Sequence, residues 1–177
     1  TGWTFVPPGS GDGGFAGAVT AWSDTTWPGG VPPVVPGTTS WAPVDGSYFG
    51  LLKTDGPGSQ AKLYQSFTVV PGTTLTLDYF WDSQDYVPFD DTTRGEILQG
   101  AGTGGAVVAT LFSESIAADP GNHYGTPWTS VSHTFASGGT FTLVITIYNS
   151  LDSILDSYVG IDAAVLEIAV EVDIKPG

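Results

Sequence analysis

Apolar and polar residues alternate along most of this chain in short runs, cut by Gly, Pro, Asp and Ser, and helical spacing is nearly absent. That pattern predicts strands over Ser47–Lys53, Lys62–Val70, Thr73–Asp82, Gly95–Gln99, Ala106–Ser113, Pro127–Phe135, Thr140–Asn149 and Tyr158–Ile174. Two of them alternate without a break. Thr73–Tyr79 places Leu75, Leu77 and Tyr79 on one face, and Thr140–Tyr148 does the same with Phe141, Leu143, Ile145 and Ile147. Each therefore turns one face to a core and a Thr-rich face to solvent. Pro71-Gly72 and Ser137-Gly138-Gly139 separate neighbouring strands and predict two hairpins. Strands of this length and number predict an all-β fold, an antiparallel two-sheet jelly-roll β-sandwich.

The 177 residues suffice for one domain. It divides into a Pro/Gly-rich N-terminal arm with the first strands (1–45), a main sandwich (46–174) and a C-terminal tail (175–177). Between Pro28 and Pro43 the run Val31-Pro32-Pro33-Val34-Val35-Pro36 cannot pair inside a sheet, so a loop or an edge-covering arm is expected there. The last strand is long and apolar through Ile174. It reads either as a central strand buried on both faces or as one whose end projects and pairs with a neighbouring chain.

Charge narrows the function. Eighteen Asp+Glu against four Lys+Arg give a net charge of −14, which leaves no basic footprint for nucleic acid and disfavours anionic membranes. Most of the acid is Asp, the residue of turns and calcium loops; Glu occurs only at Glu96, Glu114, Glu167 and Glu171. Such charge repels itself in a compact state unless cations offset it. There is no Cys and no Asn-x-Ser/Thr sequon, which points to a prokaryotic extracellular protein. No membrane-spanning run occurs, and the chain opens on Thr1-Gly2-Trp3 as a processed secreted protein does.

An ordered series of motifs runs through the chain. It comprises Gly46-Ser47-Tyr48-Phe49-Gly50-Leu51-Leu52, Leu63-Tyr64-Gln65-Ser66-Phe67, the segment from Trp81 to Asp91, Thr126-Pro127-Trp128, Gly139-Thr140-Phe141-Thr142-Leu143, and Tyr158-Val159-Gly160-Ile161-Asp162. The series resembles jelly-roll domains similar to carbohydrate-binding modules, of the kind found on secreted and surface-sorted bacterial and archaeal proteins. The resemblance implies a non-catalytic module, and a structural calcium set against a carboxylate near the start of the final strand. Asp162 matches that carboxylate, with Asp12 or Asp24 of the N-terminal segment as partner; pointing to solvent is the alternative for Asp162.

Asp82, Asp85, Asp90 and Asp91 crowd one loop, and Asn149, Asp152 and Asp156 another. Calcium takes six to eight oxygens, which flexible Asp-rich loops supply, so the two loops can share an ion if they meet at one end of the sandwich. Solvated turn aspartates are the plainer reading. The aromatic residues Trp22, Trp27, Trp41, Trp81, Tyr86, Tyr124 and Trp128 fall in or beside loops, where flat rings suit sugar faces, although Trp in a sandwich also serves as core or subunit contact. Catalysis has little to stand on. His123 and His133 have no metal-ligand spacing, no nucleophile elbow precedes a helix, and Gly100–Gly105 lacks the lysine of a phosphate loop. The expected function is a non-catalytic, calcium-stabilised (Ca2+) extracellular module for glycan or surface-polymer binding and adhesion. The alternative is a structural subunit that assembles with copies of itself into a filament or surface layer by strand addition.

Overall fold

The computed structural model describes residues 2–9, 13–23, 38–54, 56–118, 123–151 and 155–168. Thirteen strands and no helix are found among them: β1 (Thr4–Val6), β2 (Phe15–Val19), β3 (Trp22–Ser23), β4 (Ser40–Trp41), β5 (Phe49–Lys53), β6 (Gln60–Val69), β7 (Thr73–Ser83), β8 (Thr92–Gln99), β9 (Val107–Ser115), β10 (Tyr124–Gly125), β11 (Thr129–Thr134), β12 (Gly139–Tyr148) and β13 (Tyr158–Ile168). They form an antiparallel two-sheet β-sandwich. One sheet runs β1-β6-β12-β8-β9; the other runs β2-β5-β13-β7, with β10 and β11 both on the far side of β7. β3 and β4 make a separate two-stranded ribbon; of the stretch from Pro28 to Pro43 expected to be a loop or an edge-covering arm, residues 28–37 lie outside the described residues and Ser40–Trp41 form β4.

The chain changes sheet at nearly every connection, as a jelly roll does, and this overturns both expected hairpins. Pro71-Gly72 carries the chain from β6 in the first sheet to β7 in the second, and Ser137-Gly138-Gly139 carries it from β11 back to β12. The two corners are laced together: Gly72 N donates to Phe135 O, and Phe135 N donates to Thr73 O, each at 2.8 Å. Gly72 holds φ at 82°, a conformation that costs a side chain but not glycine. Strand alternation states which face is buried, and a sharp turn states where the chain bends; neither names the sheet a strand joins. The hairpin that does form is β8–β9, closed over Gly100–Gly105 by Gln99 N donating to Ala106 O at 2.9 Å.

The main core lies between the sheets. Leu75, Leu77, Tyr79 and Trp81 of β7 face Phe141, Leu143, Ile145 and Ile147 of β12, joined by Leu52, Leu63, Ile97 and Val159. A second, smaller core covers the outer face of the second sheet, where Trp41, Phe49, Leu51 and Phe80 pack with Trp22, Trp128 and Tyr158 against them. Burial of each large side chain contributes about 1.5–3 kcal/mol. β7 is therefore dry on both faces at Phe80 and Trp81.

β13 behaves as a central strand for half its length. From Tyr158 to Ile161 it pairs with both β5 and β7. A bulge between Asp162 and Val165, with Ala163 at φ 49°, then leaves it paired with β7 alone. Val165, Leu166 and Ile168 beyond the bulge are exposed. Residues 169–177, the rest of the expected strand and the tail, lie outside the described residues.

Candidate functional site

Strand register lines up the side chains on the outer face of the first sheet. Across β6-β12-β8, Tyr148 stands between Gln60 and Thr92, and Thr146 between Lys62 and Arg94. In the next row Val144 stands between Tyr64 and Glu96. Solvent was expected over this whole face of β12, yet Thr142 and Val144 are buried, because the β8–β9 turn folds back across them. Thr142 Oγ1 donates to Gly100 O at 2.8 Å, and Gly102 N donates to Ser66 Oγ at 3.0 Å. The folded-back turn, with Thr103, Gly105 and Val107, walls a cleft of about 440 Å³ whose floor carries Gln60, Lys62, Thr92, Arg94, Glu96, Thr146 and Tyr148.

Charge is concentrated here in a way the total hides. The chain has four cationic side chains, Lys53, Lys62, Arg94 and Lys175, and two of them flank Thr146 on this floor. Lys53 is held by Asp156 at 2.8 Å, and Lys175 lies outside the described residues. Among the described residues Lys62 and Arg94 have no ion-pair or hydrogen-bond partner, so both keep donors for the cleft, which they share with the carboxylate of Glu96. None of the floor residues was singled out by sequence. Lys62 and Arg94 sit on predicted or adjoining strand segments, but only the register of three strands brings them together.

The acidic residues gather at an end of the sandwich. Asp82 is buried and its Oδ2 accepts Trp22 Nε1 at 2.9 Å and Gln84 Nε2 at 3.2 Å. Asp90 Oδ1 accepts the Ala117 amide at 2.9 Å. Asp85 is buried, and its Oδ1 accepts the Tyr86 amide at 2.8 Å. Asn149 is buried with Oδ1 on the Leu151 amide at 3.2 Å. The two loops do meet: Ser150 Oγ donates to Asp90 O at 3.0 Å, and Asp156 lies close enough to Asp91 for their charges to interact.

Asp91 differs from the rest. It is 1% exposed, and neither carboxyl oxygen has a well-formed hydrogen bond, although the Ser157 hydroxyl and amide face it. Burial pushes its pKa up from 3.8 to about 8; Ser157 opposes the rise, and the negative charges of Asp85 and Asp156 add to it. Among the described residues no three His, Cys, Asp or Glu side chains converge as a chelating group.

Asp162 is engaged elsewhere. Its Oδ2 accepts the amides of Val44 at 2.6 Å and Asp45 at 3.1 Å, and its Oδ1 accepts the Ala163 amide at 2.8 Å. It pins the loop before β5 to the bulge of β13. Asp12, Asp24, Asp152 and Trp27 lie outside the described residues.

The aromatic residues expected at a sugar surface divide. Trp41 and Trp81 are 2% and 0% exposed, so their rings are core and cannot stack on a ligand. Trp41 lies on Phe80 at 4.3 Å between ring centroids, and its Nε1 donates to Thr126 O. Trp22 stacks on Tyr158 at 4.0 Å, and Trp128 meets Phe49 and Phe80 edge-on. These rings close over the outer face of the second sheet. Tyr124 is half-buried in β10, and Tyr86, packed against Phe89 and His123, remains exposed.

Searches for a matching family description and for a curated relative both found nothing. Solved structures do match. A cleaved adhesin domain of Lys-gingipain from Porphyromonas gingivalis is similar over 93% of this chain and 91% of its own, at 15% identity and a TM-score of 0.50. A carbohydrate-binding module of the β-sandwich superfamily is similar over 94% of this chain and 57% of its own, at 15% identity and a TM-score of 0.48. A bacteriophage tailspike enzymatically active domain matches 96% of this chain at 12% identity and a TM-score of 0.46, but the chain spans only 20% of its length. At these identities the likeness concerns architecture. The chain thus shares its β-sandwich fold with the Lys-gingipain adhesin domain.

Proposed function

We propose that this chain is a non-catalytic, extracellular, calcium-stabilised module that binds a glycan or surface polymer in the cleft of the first sheet, and that the polymer bears acidic groups. The observation that carries the reading is the pair Lys62 and Arg94, facing the same cleft on either side of Thr146 in a chain of net charge −14. An acidic polymer is repelled by the molecule as a whole. Local cations must therefore hold it, within the roughly 8 Å over which charge acts at physiological salt. Arg94 suits a carboxylate or sulfate through its two-pronged donor geometry, and Lys62 adds a point charge. Gln60, Thr92, Thr146 and Glu96 offer donors and acceptors for hydroxyls, and Tyr148, 36% exposed, offers a ring for a sugar face. The cleft volume of about 440 Å³ falls within the range of small-ligand sites. The fold shared with an adhesin domain is compatible with this use; the cleft chemistry selects it.

Affinity electrophoresis through gels carrying polygalacturonate, alginate, neutral β-glucan or xylan tests the reading. The acidic polymers should retard the protein, less so as salt rises. The Lys62→Ala/Arg94→Ala double variant should bind at least about 100-fold more weakly, at roughly 1.5–3 kcal/mol for each of the two charged hydrogen bonds lost. Equal retardation by neutral polymers, unchanged in the double variant, would remove the acidic specificity. No retardation by any polymer would remove the function.

A second reading, assembly from copies of this chain, is favoured by β13 beyond its bulge, which among the described residues pairs with β7 alone and where Val165, Leu166 and Ile168 are exposed. An unpaired apolar strand edge is a template for strand addition. Electron microscopy and sedimentation with calcium present should then show polymers that Ile168→Lys disperses. A strictly monomeric wild-type protein would dispose of this reading.

A further inference from the structure

Asp91 stands at the entrance to β8, sealed from solvent, with neither carboxyl oxygen in a well-formed hydrogen bond. Ser157 faces it from the segment leading into β13 with its hydroxyl and amide, yet Ser157 Oγ is likewise buried and makes no well-formed hydrogen bond. Buried oxygens this poorly paired depart from normal protein interiors, where polar atoms are well bonded. An ionised carboxylate left so costs several kcal/mol, and among the described residues no cation forms an ion pair with it. Lys53 is committed to Asp156 at 2.8 Å and to Gly13 O at 3.1 Å. Asp85 and Asp156 add further negative charge beside Asp91.

We infer that Asp91, with Ser157 and Asp85, holds a hard divalent cation that ties the loop before β8 to the start of β13. Every atom offered is oxygen. His123 directs Nδ1 at Gln84 O instead, and the chain has no Cys, so the donor set suits calcium rather than zinc or copper. Because two carboxylates and a hydroxyl are fewer than calcium's usual complement, main-chain carbonyls or water complete the shell. Asp162 takes no part, since both of its carboxyl oxygens already accept main-chain amides. The inference rests on the reading of the chain as calcium-stabilised and is independent of the polymer the cleft takes.

The test strips the protein with chelator, confirms the loss by elemental analysis, and follows thermal unfolding as calcium chloride or magnesium chloride is added. Wild type should gain about 5–10 °C at calcium a hundredfold above Kd, with one ion bound per chain. Asp91→Asn, nearly the same shape but uncharged, should fold without calcium, as near-UV circular dichroism would show, and should lose most of that gain. Asp162→Asn should keep it. A calcium gain undiminished in Asp91→Asn would overturn the site while leaving calcium stabilisation intact. A wild type that neither gains nor binds an ion would overturn both, leaving Asp91 as a buried protonated acid. Should Asp91→Asn fail to fold, Ser157→Ala and terbium luminescence of the wild type, competed by calcium, replace it. Luminescence that calcium does not displace, or an undiminished gain in Ser157→Ala, overturns the site equally.

Discussion

Replacing Trp81 by alanine is expected to destabilise the protein by about 3–5 kcal/mol and to lower Tm by about 10 °C. The ring is fully buried in the main core, among side chains of both sheets, and its main chain is locked to Thr126 on both sides. Thr126 Oγ1 accepts from Trp81 N and Thr126 N donates to Trp81 O, each at 2.8 Å, so the strand cannot collapse into the void. Typical domains are stable by only 5–15 kcal/mol, so the variant sits near the limit of folding. Tyr86→Ala is the useful contrast. Its ring is exposed on one side and meets Phe89 and His123, so removal should cost only about 0.5–1.5 kcal/mol. Urea unfolding of both variants measures the difference. Equal midpoints would mean that Trp81 is not core.

Gly160→Ala should be nearly as damaging, by the opposite route. Gly160 pairs directly with Phe80 across β13 and β7, and a Cβ built on it would lie 2.0 Å from Phe80 Cε1. The ring has nowhere to retreat. Trp41 stacks on it with an interplanar angle of 14°, and Phe49 and Trp128 abut it edge-on. Overpacking of this kind costs about 1–3 kcal/mol or more and shifts backbone. At Gly104, where an added Cβ meets nothing within 4 Å, alanine should be neutral or stabilising by up to about 1 kcal/mol. Chemical denaturation of the two variants separates the effects, and a Gly160→Ala protein as stable as wild type would show that the second core is loose. The same device recurs at Gly95, which lies opposite Phe112 and whose added Cβ would meet that ring at 2.3 Å. Glycine in these strands thus makes room for a cross-strand aromatic.

What was legible in the sequence follows from physics local to the chain. Period-two alternation identified the inward faces of β7 and β12, because adjacent side chains on a strand must point to opposite sides. Gly, Pro and Asp marked the bends. The crowding of Asp82–Asp91 and Asn149–Asp156 in two loops was visible as well, and the fold brings those loops together. The tertiary structure decided everything that depends on which strand lies beside which. The Pro71-Gly72 corner could pass for a hairpin because the turn geometry is local, whereas the change of sheet is set by the packing of both layers. Trp41 and Trp81 read as loop-side rings until the β3–β4 ribbon and the jelly-roll crossovers enclosed them. Lys62 and Arg94, 32 positions apart, became one feature only when both registered on Thr146 of β12. Among the described aspartates Asp82, Asp85 and Asp91 are all buried, and Asp91 stands apart because neither of its carboxyl oxygens makes a well-formed hydrogen bond, a property of the folded surroundings and not of the residue.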